Sequence, residues 1–334
     1  MREKAKIYLT FITGLILLSG SSLLHSQPVP AGDENIPYLM TFGKSGSTSW
    51  GDDDFSQTFF FKIPKGYTDP FYIRVYDPDI GGDVDEINGQ WDTRMSYSVY
   101  GGATSYTHAD AKGLEPTGKY RSGTLLASKV FVMDNRYDQS WYTFGPFNPA
   151  EGEFVEEFDG YIFKIICEGE SGDDGNLYRY YLSKRANENI PIENGNAFTY
   201  EYSFRMWNDM ENVSHIYPYV DTSCIFVKQR NFDWDDDGIF RVVSVSRKGQ
   251  LMLISNEDDW ADSKIKLFDD EKNTSLDFQF YKKKSALVRN NNVVISVENQ
   301  YGELLPFFTI PIGGVPVFKA KTAGKPVPDT RNQK

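Results

Sequence analysis

The sequence predicts an all-β protein, arranged as two consecutive antiparallel β-sandwich domains of jelly-roll or immunoglobulin-like type after a cleaved signal peptide. Three observations carry this prediction. Aromatic residues are 15% of the 334, with 21 Tyr and 24 Phe, and such side chains suit pleated, half-buried surfaces. Short runs alternate with the period of two that a strand with one buried face requires, as in Phe59, Phe61 and Ile63 or Phe71, Ile73 and Val75. Turn-forming residues separate these runs, and no long Leu/Ala/Glu/Lys stretch competes for a helix. The chain is long enough for two domains with cores of their own.

Residues 1–26 open with Arg2, Lys4 and Lys6, continue through the apolar run Ile7 to Leu18 and end in small residues, the plan of a secretory signal peptide. Cleavage is expected between Ser26 and Gln27, with Gly20 as the alternative. The apolar run is too short for a membrane span, and no later segment approaches the ~20 apolar residues a transmembrane helix needs. The expected destination is therefore the periplasm, the cell surface or the medium. Residues 27–37 lack periodicity and read as a leader.

The first sandwich is expected over residues 38–187. Strands are predicted near Tyr38, at Thr58–Ile63 and Phe71–Tyr76, around Met95, Tyr97 and Val99, and at Thr124–Met133. Gly102 to Gly123 reads as a long surface connection, and Asn148-Pro149-Ala150-Glu151 as one helical turn with an Asn cap and Pro at its first position. Tyr161–Cys167 and Leu177–Ser183 are predicted to pair as a hairpin across the turn SGDDGN. Lys184 to Asn196, polar and holding Pro191 and Gly195, marks the boundary.

The second sandwich is expected over residues 188–316. It starts with the cleanest alternation in the chain, Phe198, Tyr200, Tyr202, Phe204 and Met206, and continues in runs at 216–220, 224–230, 239–246, 250–255, 264–268, 276–281, 293–298 and 304–310. Residues 317–334 form an aperiodic basic tail, expected to be disordered.

The formal net charge is -12, and loss of residues 1–26 would make the remainder more acidic. Phosphate backbones repel such a surface, so nucleic acid is excluded as a partner and cations are favoured. The acidic loops point to calcium, which takes six to eight oxygens at about 2.3–2.6 Å and tolerates irregular geometry. In Asp77-Pro78-Asp79-Ile80-Gly81-Gly82-Asp83-Val84-Asp85-Glu86, Asp77 and Asp79 fall on one side of an extended segment. The glycine pair lets Asp83 and Asp85 fold back toward them, with Asp92 to close the site. Asp233, Asp235 and Asp237 have the spacing of half an EF-hand loop. Ser244 stands where that motif needs its bidentate Glu and the flanks read as strands, so a hairpin loop is expected instead. The competing reading of both stretches is a solvated turn. Asp173-Asp174 reads as a hairpin tip.

Trp91 and Trp234 lie beside acidic residues and are the candidates for stacking on a sugar, set against tryptophans that cap sandwich ends. Cys167 and Cys224 are the only cysteines. In an oxidising compartment they either pair or serve as small buried apolar residues. Past the signal, His108 and His215 are the only histidines, and no H-E-x-x-H, G-x-S-x-G, C-x-x-C or P-loop motif occurs, which argues against catalysis. A carboxylate pair of glycosidase type leaves no local signature.

From Thr58 to Gly102, the succession of a strand, DPDIGGDVDE and a strand ending in YGG resembles the β-sandwich modules of bacterial secreted and outer-membrane proteins, such as pre-peptidase C-terminal-like domains. The resemblance implies an accessory role in binding, adhesion or stability. The sequence thus leads to an exported, non-catalytic binding, adhesion or envelope-associated protein with calcium-stabilised loops and a cell-surface protein or glycan as partner. Its rivals are a carbohydrate-active enzyme or carbohydrate-binding module, and a structural subunit of a cell-envelope assembly docked through the basic tail.

Overall fold

Alternating aromatic strands bury their apolar faces only against one another, and the computed structural model shows how. It describes residues 28–48, 54–234, 238–256, 259–283 and 291–318. The first half runs β1 (Pro28–Val29), β2 (Tyr38–Phe42), β3 (Ser56–Pro64), β4 (Phe71–Tyr76), β5 (Arg94–Gly101), β6 (Thr124–Phe131), β7 (Trp141–Phe147), β8 (Glu153–Val155), β9 (Gly160–Ser171) and β10 (Gly175–Ser183). The second half runs β11 (Asn196–Thr199), β12 (Glu201–Arg205), β13 (Val213–Ile216), β14 (Tyr219–Val220), β15 (Phe226–Phe232), β16 (Gly238–Val243), β17 (Lys248–Met252), β18 (Ala261–Lys266), β19 (Thr274–Ser275), β20 (Asp277–Lys282), β21 (Asn292–Asn299) and β22 (Phe307–Phe308). The described residues are all-β, and no helix among them is long and apolar enough to cross a membrane.

A nine-stranded sheet forms the base, in the order β18-β15-β21-β12-β2-β10-β4-β7 with β1 also on β10. A seven-stranded sheet, β22-β11-β3-β9-β5-β6 with β8 on β9, and a four-stranded sheet, β13-β20-β16-β17, pack against it. Edge-to-face rings mark the first contact, with Phe59 at 5.7 Å from Tyr180, Tyr97 at 5.5 Å from Tyr178 and Phe71 at 4.8 Å from Phe163. The second contact sets Phe204 at 5.3 Å and Trp234 at 5.1 Å from Phe280. Tyr202 and Phe204 are two residues apart on one strand face. Tyr202 meets Phe59 of the seven-stranded sheet, and Phe204 meets the four-stranded one. Both smaller sheets therefore cover the same face of the base, and their apolar residues join one core.

The expected hairpin between Tyr161–Cys167 and Leu177–Ser183 is absent. β9 pairs with β3, β5 and β8, whereas β10 pairs with β1, β2 and β4, so SGDDGN crosses between sheets. Each strand carries a full apolar row, Phe163, Ile165 and Cys167 on one and Tyr178, Tyr180 and Leu182 on the other. All six are buried in the core between the sheets. The run Phe198 to Met206 likewise divides at Tyr200, as β11 joins β3 and β12 joins β2. The sheets thus continue past residue 188.

Two stretches read as irregular are more ordered than expected, and one strand was not foreseen. In 27–37, Pro28–Val29 pairs with β10, and Glu34 is fully buried, accepting from the Ala31 N–H at 2.5 Å and the Tyr202 hydroxyl at 3.1 Å. The connection 102–123 is not merely surface: Tyr106 and Ala111 are buried against the outer face of the seven-stranded sheet. β7 had no predicted counterpart. The helical turn at 149–151 is a 3-10 turn in which the Asn148 side chain accepts from the Ala150 N–H at 2.9 Å.

Candidate metal centre

The acidic loop leaves β4 at Asp77, whose φ of 57° is left-handed, a region Asp tolerates better than most residues. This geometry turns both Asp77 and Asp79 inward, where they are 0% and 1% exposed. Asp77 Oδ1 accepts from the Gln139 N–H at 2.9 Å, and Asp79 Oδ2 from the Asp134 N–H at 2.9 Å, so both fasten onto the β6–β7 loop. That loop contributes Asp138, packed so closely over Gly82 that a β-carbon there would lie 2.3 Å from its Oδ1.

Asp77 Oδ2, Asp79 Oδ1 and Asp138 Oδ1 are buried without a hydrogen-bond partner. Burying a carboxylate oxygen unpaired costs several kcal/mol, and Asp77 and Asp79 respond by holding their protons more tightly. Burial first, then repulsion from Asp79 and Asp138, pushes Asp77 up to about 7. Burial and the neighbouring Asp138 and Asp134 push Asp79 up to about 6. Asp85 is raised well above the usual carboxylate range by burial and by Asp77 and Asp79. Both its oxygens are engaged, Oδ2 by the Gly81 N–H at 2.8 Å and Oδ1 by the Leu177 N–H at 2.7 Å, so it ties the loop to β10.

A second acidic group lies at the crossing after β9. Among the described residues, the acid trio whose ligand oxygens all lie within 4.8 Å of one another is Asp92, Asp173 and Asp174. The oxygens of Asp77, Asp79 and Asp138 are spread more widely. Asp174 is buried and largely committed, Oδ1 to the Asn88 N–H at 2.9 Å and Oδ2 to the Asp92 and Thr93 N–H groups at 3.0 and 3.2 Å. Asp173 accepts from Asn88 Nδ2 at 3.1 Å, and Asp92 is exposed. The trio has short separations and few free lone pairs, whereas the Asp77 group has unpartnered oxygens and wider separations.

Of the residues read as ligands, the structure brings Asp77 and Asp79 together. It leaves Asp83 exposed, spends Asp85 on backbone and moves Asp92 to the second group. Asp138 and Asp174 went unrecognised as partners: one sits alone in Arg-Tyr-Asp-Gln and the other passed for a hairpin tip. Asp233 is buried at φ 66°, within electrostatic reach of Asp54 and Arg205, while Asp235 and Asp237 lie outside the described residues. Trp234 is 2% exposed and packed in the core against Phe280, leaving no face for a sugar, whereas Trp91 is half-exposed. Cys167 and Cys224 are free buried thiols, the apolar alternative of the two readings.

The chain matches no known protein family and no curated protein. The likeness of Thr58–Gly102 to pre-peptidase C-terminal-like modules gains no support from these comparisons.

Proposed function

We propose that this is an exported, non-catalytic binding protein whose acidic loop is locked to the β6–β7 loop by a calcium ion held by Asp77, Asp79 and Asp138. The observation that carries the reading is the set of buried carboxylate oxygens without donors on these residues. A divalent ion offsets both the burial cost and the mutual repulsion that otherwise raise Asp77 and Asp79 toward their protonated forms. Calcium suits them because its coordination is irregular and is completed by carbonyls and water. The Asp92, Asp173, Asp174 trio is the second place for an ion. The plan of residues 1–26 supports export, and the rim formed by these loops is where a surface protein or glycan would be met.

The test is calorimetric titration of the chain from Gln27 with calcium and with magnesium. Heat with calcium, and melting raised over the chelated protein, is the expected result. No heat, together with identical melting in chelator, removes the reading.

A further inference from the structure

The connection 102–123 and the β8–β9 turn wall off a cleft of about 690 Å³ on the outer face of the seven-stranded sheet. Its aromatic side is formed by Tyr106, Tyr200 and Phe308, with Phe158 and Tyr219 half-exposed beside them. Ring contacts fix this wall: Tyr106 lies 5.5 Å from Phe158, Tyr219 lies 6.1 Å from Phe308, and the Tyr106 and Tyr200 hydroxyls are 2.9 Å apart. Against one cation, Lys112, the lining carries three carboxylates, Glu157, Asp221 and Glu303.

Lys112 is the informative residue. Its Nζ stands 4.1 Å from the centre of the Tyr106 ring and 5.5 Å from that of Tyr200, so an ammonium already occupies the aromatic faces. Glu157 lies close enough to influence Lys112, Tyr106, Tyr200 and Tyr219 together, and its side chain is exposed at the mouth. Ring faces negative at their centres, framed by carboxylates, select a positive ligand over a neutral one. With Lys112 in place Tyr106 and Tyr200 are only 5% and 6% exposed, and a neutral saccharide displacing it would bring no positive charge to replace the one the rings lose, whereas an ammonium would.

We propose that this cleft binds an organic ammonium ion, for which the Lys112 side chain is a built-in placeholder displaced on binding. The site is separate from the acidic loop, so calcium and chelator leave it unchanged. The test titrates the chain from Gln27, by calorimetry or ligand-detected NMR, with choline and with its neutral isostere 3,3-dimethylbutan-1-ol. Wild type prefers choline, Lys112→Gln binds choline about tenfold tighter by freeing the rings, and Glu157→Gln binds it several-fold weaker. Tyr219→Phe, which keeps the ring, leaves affinity within about twofold. Equal binding of the alcohol and choline, or a Lys112→Gln protein with native melting that binds choline no better than wild type, overturns the proposal. So does silence toward choline in both proteins.

Discussion

Replacing Asp77 with Asn keeps the Oδ1 acceptor for the Gln139 N–H and removes the charge. The Asp77 carboxyl is raised from 3.8 to about 7, a shift of roughly three units that corresponds to about 4 kcal/mol at 1.36 kcal/mol per unit. Water reaching the half-buried Asp138 side screens part of this, so about 2 kcal/mol is the working figure. Because the folded-state value lies above the unfolded one, the contribution of the neutral carboxyl is complete below about pH 4 and is lost as pH rises through about 7. In chelator near pH 8, Asp77→Asn should therefore be more stable than wild type by ~2 kcal/mol, a rise of ~4 °C in melting temperature, with the two converging near pH 4. In calcium the order reverses: wild type gains about 2.7 kcal/mol at a hundredfold excess over Kd, and the variant gains much less. Differential scanning calorimetry at both pH values, with and without calcium, reads all four numbers. An Asn variant less stable than wild type in chelator near pH 8, or one keeping the whole calcium increment, refutes the reasoning.

Three further outcomes follow from single residues. Gly82→Ala places a methyl 2.3 Å from Asp138 Oδ1 at a φ of 72°, so it should cost at least ~1 kcal/mol in urea unfolding and weaken calcium binding in the same protein. Trp234→Ala opens a cavity beside Phe240 and Phe280 and should cost about 3–5 kcal/mol in urea unfolding. A thiol reagent should find no reactive cysteine in the native protein and two in denaturant, since both thiols are buried and burial pushes Cys167 up to about 12; finding none in denaturant would mean that the pair is joined.

The strands were legible because alternation is a local property, and Phe71–Tyr76 appears with its expected bounds. Pairing was not, because period two states which residues share a face and leaves the neighbouring strand open. Thus β9 and β10, consecutive and both apolar, look like a hairpin but lie in different sheets. The acidic loop followed the same logic. Asp77 and Asp79 could be placed on one side of an extended segment, but Asp138 arrives from a loop some sixty residues away with only Asp134 near it in sequence, and its role depends on Gly82 lacking a side chain. Trp234 misled because its acidic neighbours suggested exposure, while its own ring had a place waiting against Phe280.

The base sheet also decides how the two halves of the chain hold together. β2 is bonded along one side to β10 and along the other to β12, and β3 likewise accepts β11, so backbone hydrogen bonds stitch the polypeptide on both flanks of the 184–195 segment. A protease nick in that segment would leave two fragments clasped edge to edge, migrating as one species until denaturant parts them, and separately expressed halves would have to find each other to fold.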